Sequence, residues 1–139
     1  MHHVGQCYEK VKQLSRQDAI TRLQVSVLPE RAREIQQIRE AYGPIADEII
    51  AEQAPFLDLT EQTYGLLKQK IADHWAEIQQ IAASVPPAQE LADWLRQVGG
   101  AINPAALGLD GDEVALAQDA SHYLANRFTV MKLNRILRI

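Results

Sequence analysis

Between Tyr64 and Val85 the apolar residues Tyr64, Leu67, Ile71, Trp75, Ile78, Ala82 and Val85 follow one another at steps of 3, 4, 4, 3, 4 and 3. A 3.6-residue period keeps such a series on one face, so the segment 59–85 is expected to be one long helix with a buried side. Nothing competes with it as a strand, because no stretch alternates apolar and polar residues for longer than Leu23-Gln24-Val25-Ser26-Val27. The 19 Ala, 15 Leu and 14 Gln against 8 Val and 4 Thr tilt the chain the same way, towards helix formers. The expected fold is therefore all-α, a multi-helix bundle. With 139 residues, 47% of them hydrophobic, positions 1–139 are expected to form a single domain that needs no disulfide staple.

Punctuation divides the rest of the chain. A first helix is expected over 3–17, with Asp18 as the N-cap of a second. Leu23 to Val27 ends that helix or forms a short extended piece. Pro29 is placed for a first helical turn, and the helix it opens runs to Tyr42. Gly43-Pro44 stops it and starts another with Ile45, Ile49 and Ile50. Residues 54–58 read as a break, and Asp58 with Glu61 reads as a capping box for the long helix. After Pro86-Pro87 comes a helix whose apolar residues are Leu91, Trp94, Leu95 and Val98, closed by Gly99-Gly100. A single turn is expected over 103–108. Asp110 with Glu113 is a second capping box, leading into Val114, Ala117, Ala120 and Leu124, and Thr129 caps a last helix with Val130, Leu133, Ile136 and Leu137.

Several functions are disfavoured at once. A formal charge of −4 argues against a nucleic-acid partner. No apolar run approaches the roughly 18 residues of a membrane span. A single cysteine and a start without a secretory signal lead us to expect a cytoplasmic protein. No GxGxxG, GxxxxGK[ST] or GxSxG occurs, so dinucleotide, phosphate-loop and serine-nucleophile chemistry have no visible seat.

The candidate metal ligands are His2 and His3, with Cys7 four residues after His3 on the same helical face. Imidazole and thiolate suit zinc, but two or three ligands do not close a site. His74 and His122 are expected to be structural or exposed. One Asp-x-x-His, from Asp119 to His122, falls short of a di-iron bundle, and Glu48 and Glu52 form only an acidic face. Near the end, Lys132, Arg135 and Arg138 are accounted for by the attraction of cations to helix C-termini. Arg127, at a helix junction beside Phe128-Thr129, is the candidate for a substrate phosphate.

Taken in order, these segments resemble the C-terminal helical part of the glycerol-1-phosphate dehydrogenase family, within the iron-containing alcohol dehydrogenase and dehydroquinate synthase-like superfamily. His3-Val4-Gly5 resembles the tail of that family's His-Gly-x-x-Val-Gly element, and Tyr42-Gly43-Pro44-Ile45-Ala46-Asp47-Glu48 resembles its mid-domain segment. Trp75-Ala76-Glu77-Ile78, the run from Leu91 to Gly99-Gly100, and the run from Pro104 to Gly108-Leu109 are similar to its later helices. The stretch from Ala125 to Leu133 resembles the terminal Arg-x-Arg-Tyr/Phe-Thr-x-x-x-Leu signature, with Asn126 and Arg127 altering the spacing of its two arginines.

The resemblance implies an NAD(P)-dependent oxidoreductase whose helical domain walls the substrate cleft. Zinc or iron would sit between that domain and a Rossmann-like cofactor domain, held by an aspartate and two histidines. The family's metal histidine would fall just before Met1, so His2 and His3 occupy neighbouring positions and could replace it only through a backbone shift. No cofactor is expected in this chain by itself. The expected partner is a Rossmann-like domain or companion chain, a homo-oligomer is compatible, and the chain alone is expected to be inactive. The alternative is a free-standing helical interaction module that has lost the ancestral chemistry.

Overall fold

A computed structural model describes residues 2–139, and the described residues form helices and their connections, with no strand. The helices are α1 (His2–Gln13), α2 (Arg16–Val25), α3 (Arg31–Tyr42), α4 (Ala46–Glu52), α5 (Ala54–Leu57), α6 (Glu61–Asp73), α7 (Trp75–Ser84), α8 (Ala88–Gln97), α9 (Gly111–Ala120) and α10 (Val130–Leu137). Short 3₁₀ turns occupy Gly43–Ile45, Pro104–Leu107 and Ser121–Tyr123. Among the described residues no helix is long and apolar enough to cross a membrane.

Two apolar cores result. The larger gathers Val11, Leu23, Ile71, Trp75, Leu133 and Leu137, from α1, α2, α6, α7 and α10. The smaller gathers Ile38, Ala46, Leu57, Ala120 and Tyr123, from α3, α4, α5, the end of α9 and the 3₁₀ turn after it. The stripe that begins at Tyr64 lands largely in the larger core, as its period predicts. Its helix is not continuous, however. His74, at φ −97° and ψ 17°, ends α6 and starts α7. The break leaves the face intact, because the His74 N–H still donates to Lys70 O and its carbonyl still accepts from Ile78 N.

Several boundaries differ from the sequence reading, each for a local reason. The first helix ends at Gln13, and Ser15 rather than Asp18 caps α2, its Oγ accepting from the Asp18 N–H at 3.1 Å. Helix α3 begins at Arg31, so Pro29 lies in the connection before it. The expected break at 54–58 contains the short turn α5. Thr60 with Thr63, not Asp58 with Glu61, forms the capping box of α6. Asp58 instead accepts from Arg31 Nε at 2.8 Å. The Asp110–Glu113 box and the Thr129 cap are present as expected. Leu124 lies beyond the end of α9 and is 65% exposed.

Of the four large apolar residues expected to mark the buried side of α8, Leu91 and Leu95 are partly buried. Ala88 and Ala92 are covered, while Trp94 and Val98 are 47% and 80% exposed. The cause is close approach to α1. A Cβ added at Gly5 would stand 2.9 Å from Ala88 Cα and 3.0 Å from Leu91 Cδ1, so the absence of a side chain at Gly5 is what lets these helices meet.

Gly5→Leu is therefore expected to lower stability by about 1–3 kcal/mol, the usual cost of overpacking. Gly65→Ala, at an exposed site inside α6 with open space around the new Cβ, is expected to raise it by roughly 1 kcal/mol. Urea denaturation of the two variants beside the parent chain checks both signs.

Candidate functional site

The most distinctive polar chemistry lies between the two cores. Glu34 projects from α3, and its carboxylate accepts from the Tyr123 hydroxyl at 2.6 Å and from the Arg135 guanidinium of α10. The Tyr123 hydroxyl also lies 3.2 Å from Gln37 Oε1, which the Arg135 guanidinium reaches at 3.4 Å. His122 packs on Tyr123, with ring centroids 3.8 Å apart. Glu34, His122 and Tyr123 are all buried, and Arg135 is partly so.

Burial acts to raise the Glu34 carboxyl. The neighbouring His122 imidazole, 4.0 Å away, the hydrogen bond from Tyr123 and the charge of Arg135 outweigh it and hold the group below the ordinary carboxylate range. Burial, and then the bond to Glu34, push the Tyr123 phenol well up. Glu34 is therefore an anion clamped between donors, suited to tying elements together and poorly suited to taking up a proton.

Lys132 is the second buried charge, and no carboxylate faces it. Its Nζ donates to Ala125 O and, at 2.9 Å, to Arg127 O, and lies 4.0 Å from the centre of the Phe56 ring. Burial lowers it to about 8. The attraction of cations to helix C-termini does not explain this residue, which sits in the first turn of α10, where that field is unfavourable. Nor does it suffice for Arg135, whose position is explained by the partner on α3. These two roles were missed in the sequence because their partners lie on distant elements. The one available signal was that both cations lie in a short helix whose other residues, Asn134 apart, are apolar.

Arg127 is exposed, and among the described residues its side chain has no hydrogen-bond or ion-pair partner. Lys132 holds its backbone in place. Arg127, Phe128, Thr129 and Met131 share a groove of about 380 Å³ with Val4 and Tyr8 of α1. The head of α1 and the segment before α10, far apart in sequence, thus form one surface. Asn134 of α10 reinforces the contact by donating to Cys7 O at 3.2 Å.

The candidate metal ligands diverge. Both ring nitrogens of His2 are engaged, Nδ1 at 3.2 Å from Ala88 O and Nε2 at 3.1 Å from Gln6 Nε2. His3 instead turns towards Cys7, with Nε2 at 3.9 Å from Sγ. Burial first, then the charges of Lys10 and His2, lower the His3 imidazole, and burial pushes the Cys7 thiol up. Among the described residues no three His, Cys, Asp or Glu side chains converge to hold an ion. The residues present therefore do not fit a resident metal. His74 is exposed beside Glu77 on the surface.

Comparison with protein-family models, curated proteins and solved structures finds no match to this chain.

Because the folded Glu34 carboxyl lies below its ordinary value of 4.5, its contribution to stability is complete above that value. It is lost as pH falls through the lower, folded one. Glu34→Gln is expected to cost roughly 1–3 kcal/mol at pH 7, since it removes the charge that pairs with Arg135 and puts an NH₂ donor where one of two acceptor oxygens stood. It should also lose less stability than the parent between pH 6 and pH 3. Urea midpoints at the two pH values, in parent and variant, measure both effects.

Proposed function

We propose that this chain is the helical domain of a glycerol-1-phosphate dehydrogenase-like, NAD(P)-dependent oxidoreductase of the dehydroquinate synthase-like superfamily, and that it walls one side of the substrate cleft. One observation carries the reading. The two segments that resemble the family's cleft elements, His3-Val4-Gly5 and the stretch from Ala125 to Leu133, contribute Val4 and Arg127 to a single groove. A groove of about 380 Å³ lies within the roughly 300–1,000 Å³ common for small-molecule sites.

On this reading Arg127 is the anion-binding residue. Its guanidinium is exposed, unpaired among the described residues, and suited to a phosphate. Lys132 is a positioning residue, because its two bonds to Ala125 O and Arg127 O set the backbone from which Arg127 extends. Phe128 and Val4 supply apolar wall. The described residues offer no ligand set for zinc or iron, and the chain has no glycine-rich dinucleotide loop. Both groups would accordingly be held by a Rossmann-like cofactor domain or a companion chain. The fold class supports the assignment only at the level of an all-α domain.

A second reading, a free-standing helical interaction module, draws on the exposed Trp94 of α8 and Val98 at its C-terminal end. A monomer in light scattering that binds no apolar partner face counts against it.

The test joins the cofactor domain of a complete family member to this chain. The folded chimaera is expected to reduce dihydroxyacetone phosphate with NAD(P)H, whereas the 139-residue chain by itself is not. Arg127→Ala in the chimaera is expected to raise KM for that substrate about tenfold or more, the loss of a charge-assisted hydrogen bond. A folded but inactive chimaera, an unchanged KM, or turnover by the isolated chain contradicts the proposal.

A further inference from the structure

The groove between α1, α7 and the segment before α10 has an uneven lining. Among the described residues Arg127 is the one charged side chain that lines it, and no carboxylate does. Val4, Tyr8, Ile78, Ile81, Phe128 and Met131 supply most of the wall that solvent reaches; all are at least partly exposed, Ile81 to 61% and Phe128 to 39%. Two hydroxyl side chains, Tyr8 and Thr129, complete the polar part, and Thr129 already accepts from the Lys132 N–H as the cap of α10. The base of the guanidinium is held as well. Lys132 Nζ donates to Arg127 O, and the amide of Gln53, between α4 and α5, donates to Ala125 O at 3.0 Å.

These features constrain a ligand. An unopposed guanidinium attracts one anionic group and repels a cation. Hydroxyls or carbonyls laid along the apolar wall would lose water without gaining partners, whereas hydrocarbon there covers side chains that now face water. At about 10–15 Å³ for each water-sized group, 380 Å³ holds about 25 of them, ample for a phosphate and an eight-carbon chain. A three-carbon phosphate would leave most of the apolar wall uncovered.

We propose that the groove binds an anionic amphiphile, a phosphate monoester whose headgroup pairs with Arg127 and whose single hydrocarbon chain lies along Val4, Ile78, Ile81 and Phe128. The inference rests on the assignment of Arg127 as the anion-binding residue, and it names the substituent that the bound phosphate carries. It draws nothing from the redox chemistry.

The test is an NMR titration of the whole parent chain, observed at the methyl groups of Val4, Ile78, Ile81 and Met131, with octyl phosphate below its micelle-forming concentration. Inorganic phosphate and octanol, which carry the headgroup and the chain separately, are titrated beside it. Saturable shifts are expected with octyl phosphate, and binding at least tenfold weaker with either of the other two. Arg127→Ala should weaken octyl phosphate about tenfold or more, to the level of octanol. Ile81→Asp, at an exposed position, should weaken it at least tenfold by placing a carboxylate on the wall. Absence of saturation, equal binding of inorganic phosphate or octanol, or full affinity in either folded variant overturns the proposal. So does sedimentation of the chain with vesicles containing phosphatidic acid while dissolved octyl phosphate gives no saturable shift, which would assign the surface to a bilayer. The three probes decide on the parent chain alone should a variant not fold. The dehydrogenase reading fails separately. An inactive chimaera contradicts that reading and leaves octyl phosphate binding in place, whereas a chimaera active on dihydroxyacetone phosphate beside a parent chain that binds no octyl phosphate contradicts the amphiphile alone.

Discussion

One buried carboxylate holds the two halves of this protein in register. Glu34 leaves α3, within the smaller core, and meets Tyr123 beyond α9 and Arg135 on α10, whose apolar face belongs to the larger core. Apolar packing is non-directional and would tolerate sliding of one core over the other. A carboxylate shared by a phenol and a guanidinium does not, because each donor must point at an oxygen. The same arrangement explains the direction of the Glu34 titration: burial alone would favour the protonated form, and the donors reverse it. Removing either partner leaves a buried polar group unpaired, so the network is sensitive at every member.

The connection before α10 depends on a related device. Lys132 is buried without a carboxylate, its charge shared between two carbonyls and the face of Phe56. Gln53 donates to Ala125 O as well, so the backbone of this exposed connection is gripped from two sides. An arginine mounted on such a segment is presented to solvent from a stiff base, which suits an anion site better than a freely moving loop would.

What could be read from the sequence follows from which forces act locally. The stripe from Tyr64 through Ala82 marks the core face of α6 and α7, and Thr129 and the Asp110–Glu113 pair mark helix starts, because period and capping are written in neighbouring residues. Capping was ambiguous where two candidates lay close together: Ser15 prevailed over Asp18, and Thr60 over Asp58, which Arg31 engages. On α8 size alone does not separate Leu91 and Leu95, which are partly buried, from Trp94 and Val98, which are exposed; the close approach of Gly5 to Ala88 and Leu91 sets which side faces α1. Of the polar network, the sequence shows only the two cations inside the short last helix, and none of their partners. Glu34, Gln53, His122 and Lys132 are ordinary residues in sequence, and only the tertiary arrangement brings them together. Of the residues singled out beforehand, Arg127 lies in a groove with the head of α1, whereas His2 and His3 face different neighbours.

The central claim is that the Glu34 contacts make the two cores one cooperative unit. Native-state hydrogen exchange tests it most directly, by comparing the opening free energies of the slowest amides in α3 with those in α10 as denaturant is added. Matching free energies that fall together with the slope of global unfolding are predicted. Exchange of α3, α4 and α5 through a separate opening of lower energy, with α10 still protected, would contradict the account.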